Sequence, residues 1–253
     1  MDVAGSVVVV TGGGSGIGAA LCRRFAAEGA HAVVVADVDS AAAQDVAQEI
    51  GGHAVAVDVS AEAGVRMLVE RTIAERGRID VYCSNAGVAH GGGAEAPDDA
   101  WRRSWDINVM AHVYAARALL PHMLERGGCI VGTISAAGLL NHVHAAPYAA
   151  TKAAALSFFE WLAIAHGDAG VQVAVVCPQG VRTPMLLSAG PEARFLHEGA
   201  LEPDAVAHAV LQGVREGRFL ILPHPDVHEY IVRKAVDHDR WLRGMRRLRQ
   251  MWL

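Results

Sequence analysis

Near its start the chain reads VVVVTGGGSGIG at residues 7–18, an apolar run followed at once by a glycine-rich turn. The pattern beyond the turn is helical, so the glycines lie where a strand passes into a helix. Glycines in this position let backbone N–H groups approach a pyrophosphate, and the helix N-terminus adds partial positive charge. Glycines also form ordinary tight turns, but between a strand and a helix they predict a dinucleotide-binding fold.

Outward from this stretch, short apolar runs alternate with longer helical patterns. We predict strands near residues 7–11, 32–36, 54–58, 80–84, 129–135, 172–177 and 219–222. Helical patterns fill the gaps near 16–28, 40–50, 61–76, 98–125, 148–167 and 204–216. Nearly continuous apolar strands are typical of parallel strands covered on both faces. The sequence therefore predicts an α/β fold, a doubly wound (Rossmann-type) parallel seven-stranded sheet with helices on both faces.

Two segments depart from this alternation. Residues 184–203 form a predicted loop rich in apolar side chains. From Val227 onward, apolar residues recur at three- and four-residue steps opposite a face rich in arginine, which indicates an amphipathic helix. We predict a dinucleotide-binding and catalytic domain over residues 1–225, with residues 226–253 as its helical C-terminal extension. The extension is expected to pack on the body or on a neighbouring subunit; the alternatives are attachment to a membrane surface and disorder.

Charge and composition narrow the class of protein. The formal net charge is -5, and since residues 240–253 hold five arginines and no acidic side chain, the remainder carries -10. Such an acidic body argues against general nucleic-acid binding. No apolar run approaches the ~18 residues of a membrane span, and no signal peptide is evident. Four widely spaced cysteines are typical of reduced thiols, so we predict a cytoplasmic protein bound neither to nucleic acid nor to a membrane.

One carboxylate bears on the choice of cofactor. Asp37 ends the second predicted strand, 19 residues after Gly18. This is near the ~20-residue spacing at which a carboxylate accepts hydrogen bonds from the adenosine ribose. A 2′-phosphate at that place would meet a like charge, and the glycine turn offers no lysine or arginine to offset it. The sequence therefore favours NAD over NADP, unless Asp37 is only a solvated residue at a strand end.

Further motifs follow in register along the chain. They are Thr11-Gly12-x-x-x-Gly16-x-Gly18, Asp58-Val59, Ser84-Asn85-Ala86-Gly87, and the set Asn108, Ser135, Tyr148 and Lys152. With these motifs the chain resembles the short-chain dehydrogenase/reductase family. The resemblance implies an oxidoreductase that transfers a hydride between NAD(H) and a secondary alcohol or ketone, and it implies a homotetramer. Its implied cofactor contacts are Gly12, Ser15, Gly16, Ile17, Gly18, Asp37, Asp58, Val59, Asn85, Gly87, Tyr148, Lys152, Pro178, Val181 and Thr183.

The resemblance also implies catalytic roles. Tyr148 would be the general acid/base, Ser135 would hydrogen-bond the substrate oxygen, and Asn108 would hold a water in the proton path. Lys152 lies at i+4 from Tyr148, which places its ammonium beside the phenol. One such charge at ~4 Å contributes on the order of 4 kcal/mol at an effective dielectric of ~20, so we expect Lys152 to lower the pKa of Tyr148. Taken singly, each of these residues could be structural.

The family pattern is broken at one place, after the sixth strand. Here the chain reads Pro178-Gln179-Gly180-Val181-Arg182-Thr183, where the family usually has Pro-Gly-x-Val-x-Thr. The proline, valine and threonine keep their positions. We therefore expect their contacts to the nicotinamide amide to persist, while the local backbone shape and a contact of Gln179 with substrate stay open.

The substrate is expected to be bulky and mainly apolar. The segments that resemble the family's substrate site supply Ala136, Ala137, Leu139, Leu140, Met185, Leu186, Leu187 and Phe195. The pocket candidates are Ala137, Leu140, His142, Gln179, Met185 and Leu186, with His144 also at the entrance. The apolar residues could instead only seat the loop on its own domain, and Arg182 and Arg194 leave room for an acidic substrate.

The remaining alternatives concern metal and function. Two pairs of histidines could be metal ligands, His142 with His144 and His224 with His228. Neither pair has a third ligand at suitable spacing, so we predict no metal site. Within enzymes the rival is a 3-oxoacyl-thioester reductase, against which Asp37 weighs because that role usually uses NADPH. A non-catalytic NAD-sensing protein on the same fold is the alternative outside enzymes.

Overall fold

The computed structural model describes residues 1–252, and at positions 191 and 192 it describes the backbone alone; position 253 of the predicted extension lies outside it. Its strands are β1 (Val7–Thr11), β2 (Ala32–Asp37), β3 (His53–Ala56), β4 (Val81–Ser84), β5 (Gly128–Thr133), β6 (Val171–Val176) and β7 (Leu220–Ile221). Within the described residues they form one seven-stranded sheet in the order β3-β2-β1-β4-β5-β6-β7. Every neighbouring pair is parallel. The predicted α/β fold is confirmed.

The helices lie between and beyond the strands. They are α1 (Gly16–Ala27), α2 (Ser40–Ile50), α3 (Glu62–Arg76), α4 (Asp98–Trp105), α5 (Ala111–Arg126), α6 (Ala136–Leu140), α7 (Ala146–His166), α8 (Pro184–Leu187), α9 (Pro203–Arg215), α10 (Asp226–Val236) and α11 (His238–Met251). A π-helical turn, Asp106–Met110, joins α4 to α5. Of the described helices, none combines the length and hydropathy that a membrane span requires.

Alternate residues of the strands point to opposite faces of the sheet, and each face carries its own core. Val9 and Tyr82 belong to the core that α3, α5 and α7 cover. Val8 and Val10 belong to the core that α1, α2 and α9 cover. The strands therefore read as continuous apolar runs because both of their faces are buried.

The structure differs from the predicted elements in several places. The third strand, predicted over 54–58, ends at Ala56, and the helix predicted over 98–125 is interrupted by the π-helical turn. The fifth strand, predicted to reach residue 135, ends at Thr133, and Ser135 is instead the N-cap residue of α6. The predicted loop over residues 184–203 contains α8 and a 3₁₀ turn, Pro191–Leu196. The single amphipathic helix of the tail is two helices, because Asp237 lies between them and its carboxylate caps α11 by accepting from the Arg240 N–H at 2.9 Å.

Candidate active site

A cleft of about 1970 Å³ opens at the carboxyl ends of the strands. Parallel sheets bind ligands at this edge, where the strand order reverses between β1 and β4. The volume is about twice the upper end of the usual range for a single ligand site, so the cleft has room for a dinucleotide and a second ligand. Of the predicted catalytic, cofactor-binding and pocket residues, all line this cleft except Asn108.

The glycine turn forms the floor of one half of the cleft. Gly12 and Gly16 have φ values of +64° and +50°, a region that side chains other than glycine rarely adopt. A Cβ at Gly18 would overlap the carbonyl oxygen of Gly12, so this close approach requires glycine. Asn85, just after β4, donates from Nδ2 to the Thr11 carbonyl at 2.9 Å and thereby holds the turn against the neighbouring strand.

Two features around this turn fit a dinucleotide. The side chain of Ser15, the N-cap residue of α1, makes no capping hydrogen bond, so the first N–H groups of the helix face the cleft with capacity for a phosphate. Asp37 lies at the end of β2, where Oδ2 accepts from the Gly14 N–H at 2.9 Å and Oδ1 from the Asp39 N–H at 3.0 Å. These bonds fix a carboxylate at the rim of the cleft, where it can accept from ribose hydroxyls.

Ser135 and Tyr148 meet on the wall opposite. Ser135 accepts from the Ala137 N–H at 3.1 Å and donates to the Pro178 carbonyl at 3.4 Å, which ties its hydroxyl between β5 and β6. Tyr148 lies in the first turn of α7 and is partly buried. Burial raises the pKa of its phenol, and the Ser135 hydroxyl opposes this increase.

Lys152 lies one turn further along α7 and is 3% exposed. Its Nζ donates to the Thr133 carbonyl at 2.7 Å and lies 5.8 Å from the centre of the Tyr148 ring. Burial lowers the pKa of the ammonium to about 8. A Cβ at Gly87 would lie 3.4 Å from this Nζ, so the glycine keeps open the space in front of the lysine.

In the chain alone the pKa of Tyr148 is raised, because loss of hydration outweighs the favourable contacts of its charged form. The expected lowering by Lys152 together with oxidised NAD stays a prediction. The Lys152 ammonium lies over the face of the Tyr148 ring and donates a hydrogen bond to the Thr133 carbonyl.

Asn108 lies behind the wall of the cleft, in the π-helical turn, and is fully buried. Its Oδ1 accepts from the Val88 N–H at 2.9 Å, and its Nδ2 donates to the Val88 carbonyl at 2.9 Å and to Thr151 Oγ1 at 3.1 Å. The side chain therefore bridges the loop after β4 to α7, where Tyr148 and Lys152 lie.

Two histidines support the site from behind, a role that the sequence analysis did not predict for either. His224 accepts at Nδ1 from the Gln179 N–H at 3.2 Å, and its Nε2 lies 3.1 Å from the Gly180 carbonyl. This bridge fixes the loop where the family pattern is broken; Gly180 is needed there because a Cβ would overlap the Leu196 carbonyl oxygen. His112 Nδ1 lies 2.6 Å from Ser84 Oγ in the core, one helical turn beyond Asn108. Neither histidine belongs to a sequence motif that could have revealed it.

The other half of the cleft is mainly apolar. Ala137, Leu140, His142, Gln179, Met185 and Leu186 all line it, as do His144 and Phe195. Leu139 and Leu187 do not: Leu139 packs beneath the wall, and Leu187 is 64% exposed to solvent. The tail supplies further lining residues that the sequence did not indicate, Tyr230, Trp241, Met245, Leu248 and Trp252.

Comparisons with known proteins agree with this geometry. The family model described as short chain dehydrogenase matches residues 6–193. Meso-2,3-butanediol dehydrogenase of Serratia marcescens is 42% identical over 183 residues, 71% of this chain and 72% of that protein.

Two solved structures share the fold. A short chain dehydrogenase/reductase from Burkholderia phymatum in complex with NAD has a TM-score of 0.87 and 29% identity, covering 94% of this chain and 96% of that one. The 3-ketoacyl-(acyl-carrier-protein) reductase from Brucella melitensis, complexed with NADH, has a TM-score of 0.79 and 30% identity, covering 88% and 98%. The chain belongs to the short chain dehydrogenase family and is an NAD-dependent oxidoreductase that acts on CH–OH groups.

Proposed function

We propose that the protein interconverts a bulky, mainly apolar secondary alcohol and the corresponding ketone, with Tyr148 as general acid/base. The observation that carries the proposal is the meeting of Tyr148, Ser135 and Lys152 on one wall of the cleft, between its glycine-lined and its apolar halves. The assay is formation of NADH, followed by its absorbance, with a panel of secondary alcohols. Turnover of any of them also rejects the non-catalytic alternative.

The residues of this chain divide the work between proton transfer and orientation. NAD, when bound, accepts or supplies the hydride and in its oxidised form contributes positive charge. Tyr148 takes the proton from the substrate hydroxyl during oxidation and returns it during ketone reduction. The Ser135 hydroxyl, oriented by Pro178 and Ala137, hydrogen-bonds the substrate oxygen and stabilises its developing negative charge.

Lys152 contributes to cofactor binding because its ammonium group is held in one position. Its bond to Thr133 holds the ammonium where it can reach a ribose hydroxyl. Burial raises the pKa of Tyr148 in the chain alone, and the positive charge of oxidised NAD, when bound, would favour the phenolate. For Asn108 the bonds to Val88 and Thr151 support a positioning role, since its side chain does not face the cleft.

The substrate class follows from the lining of the apolar half. Ala137, Leu140, Met185 and Phe195 offer little polar surface, and contact with one Leu-sized group stabilises by roughly 1.5–3 kcal/mol, a factor of ten to a hundred. We expect kcat/KM to rise from 2-propanol and 3-hydroxybutyrate to 1-phenylethanol and a hydroxysteroid.

A pair of loop variants tests this lining. Met185→Ala should narrow the preference for bulky alcohols. Leu187 is three-fifths exposed and does not line the cleft, so Leu187→Ala should leave this preference unchanged. Equal kcat/KM for small and bulky alcohols in the parent enzyme contradicts the proposal.

A 3-oxoacyl-thioester reductase is a second candidate. The similar reductase from Brucella melitensis is complexed with NADH, so a preference for NAD does not argue against this role as strongly as the sequence suggested. A 3-hydroxyacyl thioester belongs in the substrate panel for this reason, and a higher kcat/KM for it than for any free alcohol favours the second candidate.

We also propose a homotetramer. On α7 the side chains of Trp161 and Ile164 are 55% and 84% exposed, and Phe158 stacks on Trp161 at 6.4 Å, an apolar surface suited to a subunit contact. We expect a cytoplasmic location, which the four free, buried cysteines support. Residues 226–253 are proposed to extend the same domain, since Val227 of α10 is fully buried against Ala136 and Leu140.

A further inference from the structure

The C-terminal helices differ in how they are held. In α10, Val227 is buried and Lys234 Nζ donates to the Leu139 carbonyl at 2.5 Å, so this helix is fixed on α6. After the single residue Asp237, α11 runs on with no buried residue. Both helices lie beyond residue 193, where the family match ends.

One face of α11 nevertheless lines the cleft that contains Tyr148. Its apolar members are Trp241, Met245, Leu248 and Trp252, spaced three or four residues apart. The ring of Trp252 lies 6.2 Å from Phe195, and Phe195 lies 5.5 Å from His142 on the wall opposite. Thus α11 closes the apolar half of the cleft without filling it.

The same face carries positive charge. Of the five arginines of α11, Arg240 and Arg247 line the cleft. Arg247 Nη2 lies 3.9 Å from the position of a Cβ on Gly244, itself a lining residue, so the guanidinium lies along this wall. Among the side chains that the structure describes, which do not include those at positions 191, 192 and 253, no carboxylate oxygen lies within 4.0 Å of an arginine of α11.

Three described carboxylates line this end of the cleft, those of Glu198, Asp226 and Asp237. Asp237 caps α11 through the Arg240 N–H, and Asp226 lies in the first turn of α10, where the helix dipole favours negative charge. Arg233 pairs with Glu229 at 2.7 Å and is thereby occupied. None of the three lining carboxylates lies within 4.0 Å of Arg240 or Arg247, so these two guanidinium groups can receive a ligand.

We propose that the cleft-facing side of α11 binds a substrate whose bulky apolar body ends in a carboxylate, remote from the reacting hydroxyl. The apolar side chains contact the body, and the two guanidinium groups take the carboxylate, which Arg pairs well through parallel N–H donors. The inference rests on the proposed function, because it assumes that the apolar half of the cleft holds the alcohol.

The test compares a hydroxysteroid carboxylic acid with its own methyl ester, since both present the same secondary alcohol. In the parent we expect kcat/KM for the acid to exceed that for the ester at least tenfold. The double variant Arg240→Gln/Arg247→Gln should bring the ratio near one by raising KM for the acid, with kcat unchanged. The control Arg243→Gln/Arg246→Gln removes the same charge from residues of α11 that do not line the cleft and should keep the parent ratio.

Three results overturn the inference: equal use of acid and ester by the parent, an equal loss of preference in the control, or dissociation of subunits in the first double variant by light scattering. The last would assign this face of α11 to a second copy of the chain. Failure of the proposed function is distinguishable, because then no alcohol of the panel yields NADH.

Discussion

The carboxylate of Asp37 illustrates how one residue can serve both local structure and selectivity. Its Oδ2 accepts from the Gly14 N–H and so stabilises the glycine turn, its Oδ1 accepts from the Asp39 N–H, and the carboxylate lines the cleft. The negative charge disfavours a 2′-phosphate in the same place. Removing the charge while keeping the acceptor for Gly14 separates the two roles.

Asp37→Asn is the variant that makes this separation. Its amide oxygen can still accept from the Gly14 N–H and hold the turn, but its amide NH2 cannot accept from the Asp39 N–H or a ribose hydroxyl as Oδ1 can. We therefore expect NADH binding to weaken modestly, while the preference for NAD over NADP in kcat/KM narrows at least tenfold. Asp39→Asn is the matched control, because Asp39 caps α2 at 3.0 Å outside the cleft and asparagine caps equally well. An unchanged preference in Asp37→Asn would remove Asp37 from cofactor selection.

Among the elements, the strands were predictable and the segments after them were not. Both faces of the sheet are buried, so a strand is visible as an apolar run, but Ile134 and Ser135 are just as buried as the end of β5. Burial alone cannot show that the strand hydrogen bonds end before Ser135 or that Ser135 caps α6. The positions of Ser135, Tyr148 and Lys152 in the cleft were instead predicted from motifs.

The tail shows the same limit. Its three- and four-residue periodicity continues through Asp237, whereas the direction that α11 takes after this residue depends on the anchoring of α10 by contacts distant in sequence. Periodicity reports that a helix has an apolar face but not what that face meets. For the same reason the supporting roles of His112 and His224 could not be predicted.

The π-helical turn gives a prediction at the level of elements. Asn108→Ala would leave the Val88 N–H and carbonyl without partners, which we expect to lower the free energy of unfolding by about 2–4 kcal/mol. Thr151→Val removes a single acceptor from Asn108 and should cost about 1 kcal/mol. Urea unfolding with unchanged m-values measures both. A smaller loss for Asn108→Ala than for Thr151→Val would contradict the bridging role.

For the molecule as a whole, buried histidines predict a loss of stability in acid. Burial lowers the pKa of His112 to about 3 and that of His142 to about 4, the latter with help from His144. Both contributions are fully present above the unfolded pKa of about 6.5 and are lost as the pH falls towards the folded values, because the unfolded chain then binds more protons.

The slope of stability against pH tests this directly. Between pH 6 and 5 each histidine is expected to contribute about 1 kcal/mol per pH unit to the fall in unfolding free energy. His112→Phe removes one titrating group and should reduce the slope by the contribution of one histidine, whatever it does to absolute stability. His31→Phe, at an exposed position, should leave the slope unchanged. A slope unaffected by His112→Phe would contradict a neutral, buried His112.

All these features lie at one edge of the sheet, and the proposed mechanism depends on proton transfer by Tyr148. The most direct measurement is kcat, taken together with the dissociation constant of NADH, for Tyr148→Phe beside Tyr230→Phe, a second tyrosine of the same cleft. We predict that Tyr148→Phe lowers kcat at least about a hundredfold and leaves NADH binding within about threefold, since the phenol acts in chemistry. Tyr230→Phe should keep most of the activity. Retention of more than a tenth of kcat by Tyr148→Phe would contradict the mechanism.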